Sequence, residues 1–387
     1  MSKEKPMPSF FQSFRRITYS TAYLPQIDGL RFIAIFSVVV IMHITHFLDE
    51  KFYGHRLIGD SYWKKFVFEG GNGVPLFFII SGFILSLPFA KWRLNKDRPV
   101  NLRNYFLRRV IRLEPPYIIA LSILFIAHVW FLHKYSFQDL LPHFLASVVY
   151  LHTLLYHSFS WVLPVAWSLE VEVQFYILAP LFFLFFLIRH AIMRRTVYLL
   201  IIISGALFWY NVWTASHVFM YLHYFFLGIL AADLYCSRKV LFSNGRIASI
   251  VCCLSLAGFI FLPSIDNLAT YLLKIACMFL LVHTALSNSQ LARLFSGKTI
   301  VIIGGMCYSI YLLHYAVISF LGQALLKWGV NQGNTSSYPL FGLVLIVAVL
   351  LVSSAFNLFI EPPFMKPLGA LKKRQHQSET ALHSAVK

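Results

Sequence analysis

The chain has 387 residues, of which 58% are hydrophobic and only 12% charged. A soluble globular protein carries about 25% charged residues, so this composition excludes a soluble enzyme, a disordered chain and a repeat protein. The 33 Lys and Arg against 15 Asp and Glu give a net charge of +18, but these charges sit in short clusters between apolar runs. That is how orientation is encoded in a membrane protein, and nucleic acid is not an expected partner.

Apolar runs suited to crossing a bilayer lie at 32–48, 73–90, 115–132, 167–188, 196–214, 218–235, 248–263, 268–286, 300–322 and 339–360. The expected fold is all-α, a polytopic membrane helical bundle of about ten transmembrane helices. Another run, 140–159, is weaker and contains Pro142, His143, His152 and His157. With a cytoplasmic N-terminus, the basic clusters at 91–112, 189–195, 236–247 and 287–299 all fall on the inner side. A crossing at 140–159 would invert every later cluster. The positive-inside rule therefore makes that segment re-entrant or interfacial and leaves the N and C termini cytoplasmic. The expected organisation is a basic N-terminal tail at 1–31, a transmembrane domain at 32–360 and a basic C-terminal tail at 361–387. Neither a cleavable signal nor an appended soluble domain is expected. Cys236, Cys252, Cys253, Cys277 and Cys307 are odd in number and lack metal-ligand spacing, so they read as buried apolar fillers, with no metal site.

Ionisable groups inside apolar runs carry the most information, because burying them in lipid is costly. The first span, QIDGLRFIAIFSVVVIMHITHF, has Arg31 at its inner mouth and His43 twelve residues later. His43 then lies about 18 Å deeper, in the outer half of the bilayer. An interhelical hydrogen bond and general-base chemistry both suit it, and His46 competes from nearer the outer interface. In the second span, GVPLFFIISGF sets Ser81 and Gly82 near mid-membrane, where Ser bonds its own helix and Gly permits close packing. Before the third span, NYFLRRVIRLEPPY carries Arg103, Arg108, Arg109 and Arg112. Such a cluster anchors on anionic lipid or forks onto phosphate oxygens. The fourth span opens PVAWSLEVEVQFY, with Glu170 and Glu172 about 200° apart on a helix. Glu172 shares a face with Ser168 and Tyr176, while Glu170 is expected to face headgroups or the loop. In the ninth span, GMCYSIYLLHYAV puts Tyr308, Tyr311 and His314 on one stripe. Asp233 and Lys274 stand isolated and receive no role.

Taken in order, IDGLRFIAI with its later His, GVPLFFIISGF, RRVIRLEPPY, WSLEVEVQFY, GMCYSIYLLHY and IEPPF resemble the acyltransferase-3 family of integral membrane acyltransferases. The resemblance covers nearly the whole chain. It implies transfer of an acyl group, commonly acetyl from acetyl-CoA, onto an extracytoplasmic glycan or lipid-linked saccharide. It also implies that Arg31, His43 and Glu172 are catalytic, and that Arg109 and Arg112, with Arg108 beside them, hold the CoA phosphates. Ser81, Trp167, Ser168, Tyr176, Tyr311 and His314 are then substrate-binding or structural. Eleven residues separate Arg31 from His43, one more than is usual in the family. On an ideal helix the extra residue turns His43 by about 100°, and a π-bulge would restore its facing.

The expected reaction uses acyl-CoA from the cytoplasmic side of a bacterial inner membrane. His43 is the general base on an acceptor hydroxyl, Glu172 orients it, and no metal takes part. The competing class is a transporter or flippase for a lipid-linked saccharide that uses the same groups as a pathway; a non-catalytic scaffold is a third.

Overall fold

The computed structural model describes residues 23–52, 54, 62–212, 217–239, 241–264, 266–287, 291–327, 337–361 and 363. Most of both expected tails, 1–31 and 361–387, lies outside the described residues. In chain order, α1 (Pro25–Lys51), α2 (Trp63–Asn95) and α3 (Leu102–Phe131) are long and apolar enough to cross a bilayer. Two short helices follow, α4 (Phe137–Val148) and α5 (His152–Tyr156). Crossing length returns in α6 (Pro164–Leu187), α7 (Ala191–Asn211) and α8 (Val218–Cys236). Next come α9 (Gly245–Phe261), α10 (Leu268–Ala285), α11 (Lys298–Gly305), α12 (Cys307–Lys327) and α13 (Tyr338–Phe359).

Among the described residues, nine helices meet the length and hydropathy of a membrane span, and the apolar α9 is the short tenth. The chain is a polytopic helical membrane bundle. The run expected as one span at 300–322 is divided at Met306, where α11 ends and α12 begins. The segment 140–159 forms α4 and α5, of 12 and 5 residues. Twelve helical residues reach about 18 Å, well short of a hydrocarbon core of about 30 Å, so neither helix crosses.

At the centre lies α8, whose residues are nearly all buried. It touches α2 backbone to backbone: a Cβ added at Gly82 would strike the Phe225 carbonyl, and one at Gly228 the Ile79 carbonyl. Small residues are what allow such an approach in lipid. Phe225 then stacks on Phe175 of α6, ring centroids 3.9 Å apart, and on Phe78 of α2 at 4.8 Å. This aromatic sandwich locks α2, α6 and α8 in one register.

The hydrogen-bond ladder of α1 widens at Ser37–Ile44 into π-helical turns. This is the bulge that the extra residue between Arg31 and His43 calls for. Its packing is specific. The Ser37 hydroxyl donates to the Gly70 carbonyl at 2.8 Å, and the Thr45 hydroxyl donates to the Val40 carbonyl at 2.9 Å. A Cβ on Gly70 would lie 2.7 Å from the Ser37 carbonyl oxygen and 2.8 Å from the Met42 amide nitrogen.

Several residues are placed differently from the sequence expectation. Lys274 is not isolated: its ammonium bonds the Glu69 carboxylate and donates to the Leu262 carbonyl at 2.7 Å. Asp233 is ion-paired with Arg194 and, at 2.8 Å, with Arg195. Neither pair is visible locally, because each joins positions far apart in the chain. Of the cysteines, Cys236 and Cys252 are buried but Cys253 is exposed, on the outward face of α9 next to an inward-facing neighbour.

Two outcomes follow from this packing. Gly70→Ala is expected to destabilise the detergent-extracted protein by about 1–3 kcal/mol, the ordinary cost of forcing an atom into packed backbone. Gly71→Ala is expected to be tolerated, since its added carbon would meet only the flexible Met42 thioether; thermal unfolding of the two variants compares them directly. For topology, cysteines placed singly at the exposed positions 98 and 190, in a cysteine-free background, should both resist an impermeant reagent in intact cells. Labelling at 190 alone would mean that 140–159 crosses. Position 194 is unsuitable as a reporter because Arg194 is buried against Asp233.

Candidate functional site

The N-terminal end of α1, the C-terminal part of α2, the α2–α3 loop and the first turns of α3 line a cavity of about 1130 Å³. Arg31, Lys91, Lys96, Arg98, Arg108, Arg109 and Arg112 line it, against only two carboxylates, Asp28 and Asp97. Arg108, Arg109 and Arg112 converge here because they lie within two turns of α3, which starts where the Asn101 side chain accepts from the Asn104 amide at 3.0 Å as an N-cap. Arg31 is held by Asp28 at 2.6 Å, and the Tyr23 hydroxyl donates to the same carboxylate at 2.8 Å. A concavity with this surplus of cationic side chains suits a polyanion, phosphate above all.

The cavity continues inward. An inner pocket of about 100 Å³ shares Arg31, Ile84, Leu85, Arg109 and Arg112 with it, and adds Ser81, Ser168, Glu172, Tyr176, Cys307, Tyr308 and Tyr311. Glu172 sits on the pocket wall and accepts hydrogen bonds from the hydroxyls of Ser81 and Tyr176. Ser81 thus bonds across to α6 rather than to its own helix, as the sequence suggested. The Arg109 guanidinium lies 5.7 Å from the centre of the Tyr176 ring. On the far wall the Tyr311 hydroxyl donates to the Val165 carbonyl. Its single proton is thereby used, so Ser168 is the donor in the Ser168–Tyr311 bond. The Tyr308 hydroxyl donates to the Leu113 carbonyl at 2.7 Å, tying α12 to α3 beside the arginines.

Beyond Tyr311 stand two histidines. The His314 ring is 5.9 Å from that of Tyr311, and the His43 ring is 4.9 Å from that of His314. His43 Nδ1 and His314 Nε2 are 2.9 Å apart. The bulge in α1 is what turns His43 toward α12. His46, the competitor, points elsewhere: it lies 3.4 Å from Glu50 and packs on the Phe68 ring at 5.2 Å.

The expected pairing of His43 with Glu172 does not occur. Glu172 takes its hydroxyl donors from α2 and α6, and the side chain within hydrogen-bond distance of His43 is His314. Glu170 is also corrected. It is fully buried rather than facing headgroups, and its carboxylate accepts from the Thr153 amide at 2.8 Å. It thereby pins the α4–α5 segment onto α6. Trp167 packs on Tyr221 and Phe78, at 5.4 Å and 6.5 Å between centroids, and does not line the inner pocket. The His43–His314 contact had one signal in the sequence, the place of His314 on the Tyr308–Tyr311 stripe; the Ser81–Glu172 bond had none.

No solved structure matches this chain. Among curated proteins it is 25% identical over 393 residues to the peptidoglycan O-acetyltransferase OatA of Listeria monocytogenes, which covers 91% of this chain and 57% of that protein. It is also 25% identical over 388 residues to the O-acetyltransferase OatA of Staphylococcus aureus, covering 92% of this chain and 60% of that protein. The chain therefore spans less than two thirds of the length of either relative. The acyltransferase-3 family model, described as an acyltransferase domain, matches residues 24–358. That match takes in the arginine-lined cavity, the inner pocket and both histidines, and the chain belongs to the acyltransferase-3 family.

Proposed function

We propose that this protein transfers an acetyl group from acetyl-CoA, bound from the cytoplasmic side of a bacterial inner membrane, to a hydroxyl of an extracytoplasmic glycan or lipid-linked saccharide. The observation that carries the reading is the continuity of the arginine-lined cavity with the inner pocket, through Arg31, Arg109 and Arg112. CoA is highly anionic at one end and neutral at the other. Its phosphates match the guanidinium groups, and its neutral thioester is the only part that enters the dry interior without a large desolvation cost. The similarity to the Listeria monocytogenes peptidoglycan O-acetyltransferase supports a cell-envelope glycan as the acceptor class.

In this mechanism Arg108, Arg109 and Arg112 hold the donor phosphates, while Arg31, fixed by Asp28, guards the neck between cavity and pocket. Glu172 fixes the hydroxyls of Ser81 and Tyr176 and balances the arginines at that neck. The acceptor hydroxyl approaches from the other end, and His43 takes its proton as the oxygen attacks the thioester carbonyl. The C–S bond breaks and the CoA thiolate leaves with a proton. Positioned general-base catalysis of this kind contributes about 10²–10⁴-fold.

Replacing Arg109 and Arg112 together by Ala is expected to weaken CoA binding at least tenfold in a protein that still inserts and extracts normally. Isothermal titration with CoA measures this, and unchanged affinity would reduce the cluster to an anchor on lipid. His43→Ala is expected to abolish acetyl transfer in membranes while CoA affinity holds, and His46→Ala to retain activity; the reverse pattern would move the base to His46. Glu172→Gln is expected to impair transfer severely. Glu170→Gln, which keeps an acceptor for the Thr153 amide, is expected to be mild.

A further inference from the structure

We propose that His314 is a positioning residue that fixes the tautomer of His43, leaving His43 Nε2 as the bare, proton-accepting nitrogen. The inference deepens the general-base reading of His43 and rests on it. His314 Nδ1 lies 3.0 Å from the Ile310 carbonyl oxygen and 2.8 Å from that of Tyr311. Carbonyl oxygens only accept, so Nδ1 of His314 carries a hydrogen.

His314 is fully buried within α12, and no carboxylate bonds it among the described residues. An imidazolium left without a counter-charge in such a place is strongly disfavoured, so the ring is neutral. A neutral ring protonated at Nδ1 has a lone pair at Nε2, and that nitrogen faces His43 Nδ1 across 2.9 Å. His43 Nδ1 is then the donor, and the second nitrogen of a neutral His43 bears no hydrogen. His43 is half-buried, and its Nε2 makes no hydrogen bond among the described residues. The Tyr315 ring stands edge-on to it, 5.5 Å away at 80°, which restricts rotation of the imidazole plane.

The arrangement does what the orienting carboxylate does in a Ser-His-Asp triad, with a neutral imidazole in its place. When His43 Nε2 takes the proton of the acceptor hydroxyl, His43 becomes an imidazolium whose Nδ1–H stays bonded to His314. The positive charge is shared toward His314, whose own Nδ1–H is anchored on two peptide carbonyls. As the acceptor oxygen bonds the acyl carbon and the C–S bond breaks, that proton returns from Nε2 to the departing CoA thiolate, restoring the neutral pair.

The test compares two replacements of one residue and reads the tautomer directly. His314→Leu fills similar space but accepts nothing, whereas the side-chain oxygen of His314→Gln reaches as far as Nε2 and accepts from His43 Nδ1–H. Leu is expected to lower kcat for acetyl transfer about 10²-fold or more with KM for acetyl-CoA unchanged, and Gln to recover most of that loss. In the wild-type protein labelled with ¹⁵N-histidine, magnetic resonance is expected to find His43 protonated at Nδ1 and bare at Nε2. A wild-type His43 protonated at Nε2, or full kcat in His314→Leu, would overturn the proposal. Should the Leu variant fail to extract as a folded protein, the Gln variant and the wild-type tautomer still decide it. Full activity in His43→Ala would sink the general-base reading itself, and the wild-type tautomer measurement separates that failure from a failure of the dyad.

Discussion

A polar group inside a bilayer has no water to bond, so its partner has to be supplied by the protein. In this chain the partners are drawn from distant elements, and each pairing fixes the position of one helix against another. Glu69, ahead of the apolar stretch of α2, holds Lys274 of α10; Asp233 of α8 holds Arg194 of α7. Glu170 holds the amide of Thr153, and Glu172 gathers hydroxyls from α2 and its own helix. Such pairs add little net stability over well-packed apolar residues, but breaking one side costs about 3–5 kcal/mol. Their effect is to specify register, and the register is what brings residues from α1, α2, α3, α6 and α12 to one pocket.

The same constraint divides the site into two electrostatic halves. Around the large cavity the cations are many and the carboxylates few, so the local field favours an anion. Past Arg31 and Arg109 the walls change to Ser, Tyr and the bonded Glu172, where bare phosphate would pay heavily for lost water. On the proposed reading this gradient sorts the donor by its own polarity, with phosphates outside and thioester inside. The short run from Tyr311 to His314 to His43 then connects the end of that path to the half of the bundle where an extracytoplasmic acceptor would arrive.

What was legible in the sequence follows from which interactions are local. The spans, the arginines sharing two turns of α3 and the shared face of Ser168, Glu172 and Tyr176 all depend on helical periodicity, which a sequence displays. The bulge in α1 was legible only through the family resemblance: the eleven residues between Arg31 and His43 are one more than is usual there, which implies either a misdirected imidazole or an absorbed residue. Partners across helices were not. The expected reaction pairs Glu172 with His43, yet each finds a nearer partner on a helix whose neighbours only the fold decides. Glu170 was misplaced for the same reason: a rotation of 200° from Glu172 predicts a different face, but not that α5 covers that face.

The absence of a carboxylate from the bond that orients His43 has a physical logic in this environment. A carboxylate there would pair with a positive imidazole and draw a proton onto it at rest, and an imidazole already protonated cannot act as a base. It would also place a full negative charge where the dielectric is low, on the path of a neutral thioester. A second neutral imidazole avoids both effects. It accepts the Nδ1 hydrogen, fixes the ring and carries no charge of its own, while the carbonyl dipoles of Ile310 and Tyr311 hold it by its other nitrogen. The dyad is thus polar without being charged at rest, and it gains its largest electrostatic stabilisation only when a proton arrives. Stabilisation that appears with the transition state and not before it is the kind that accelerates a reaction.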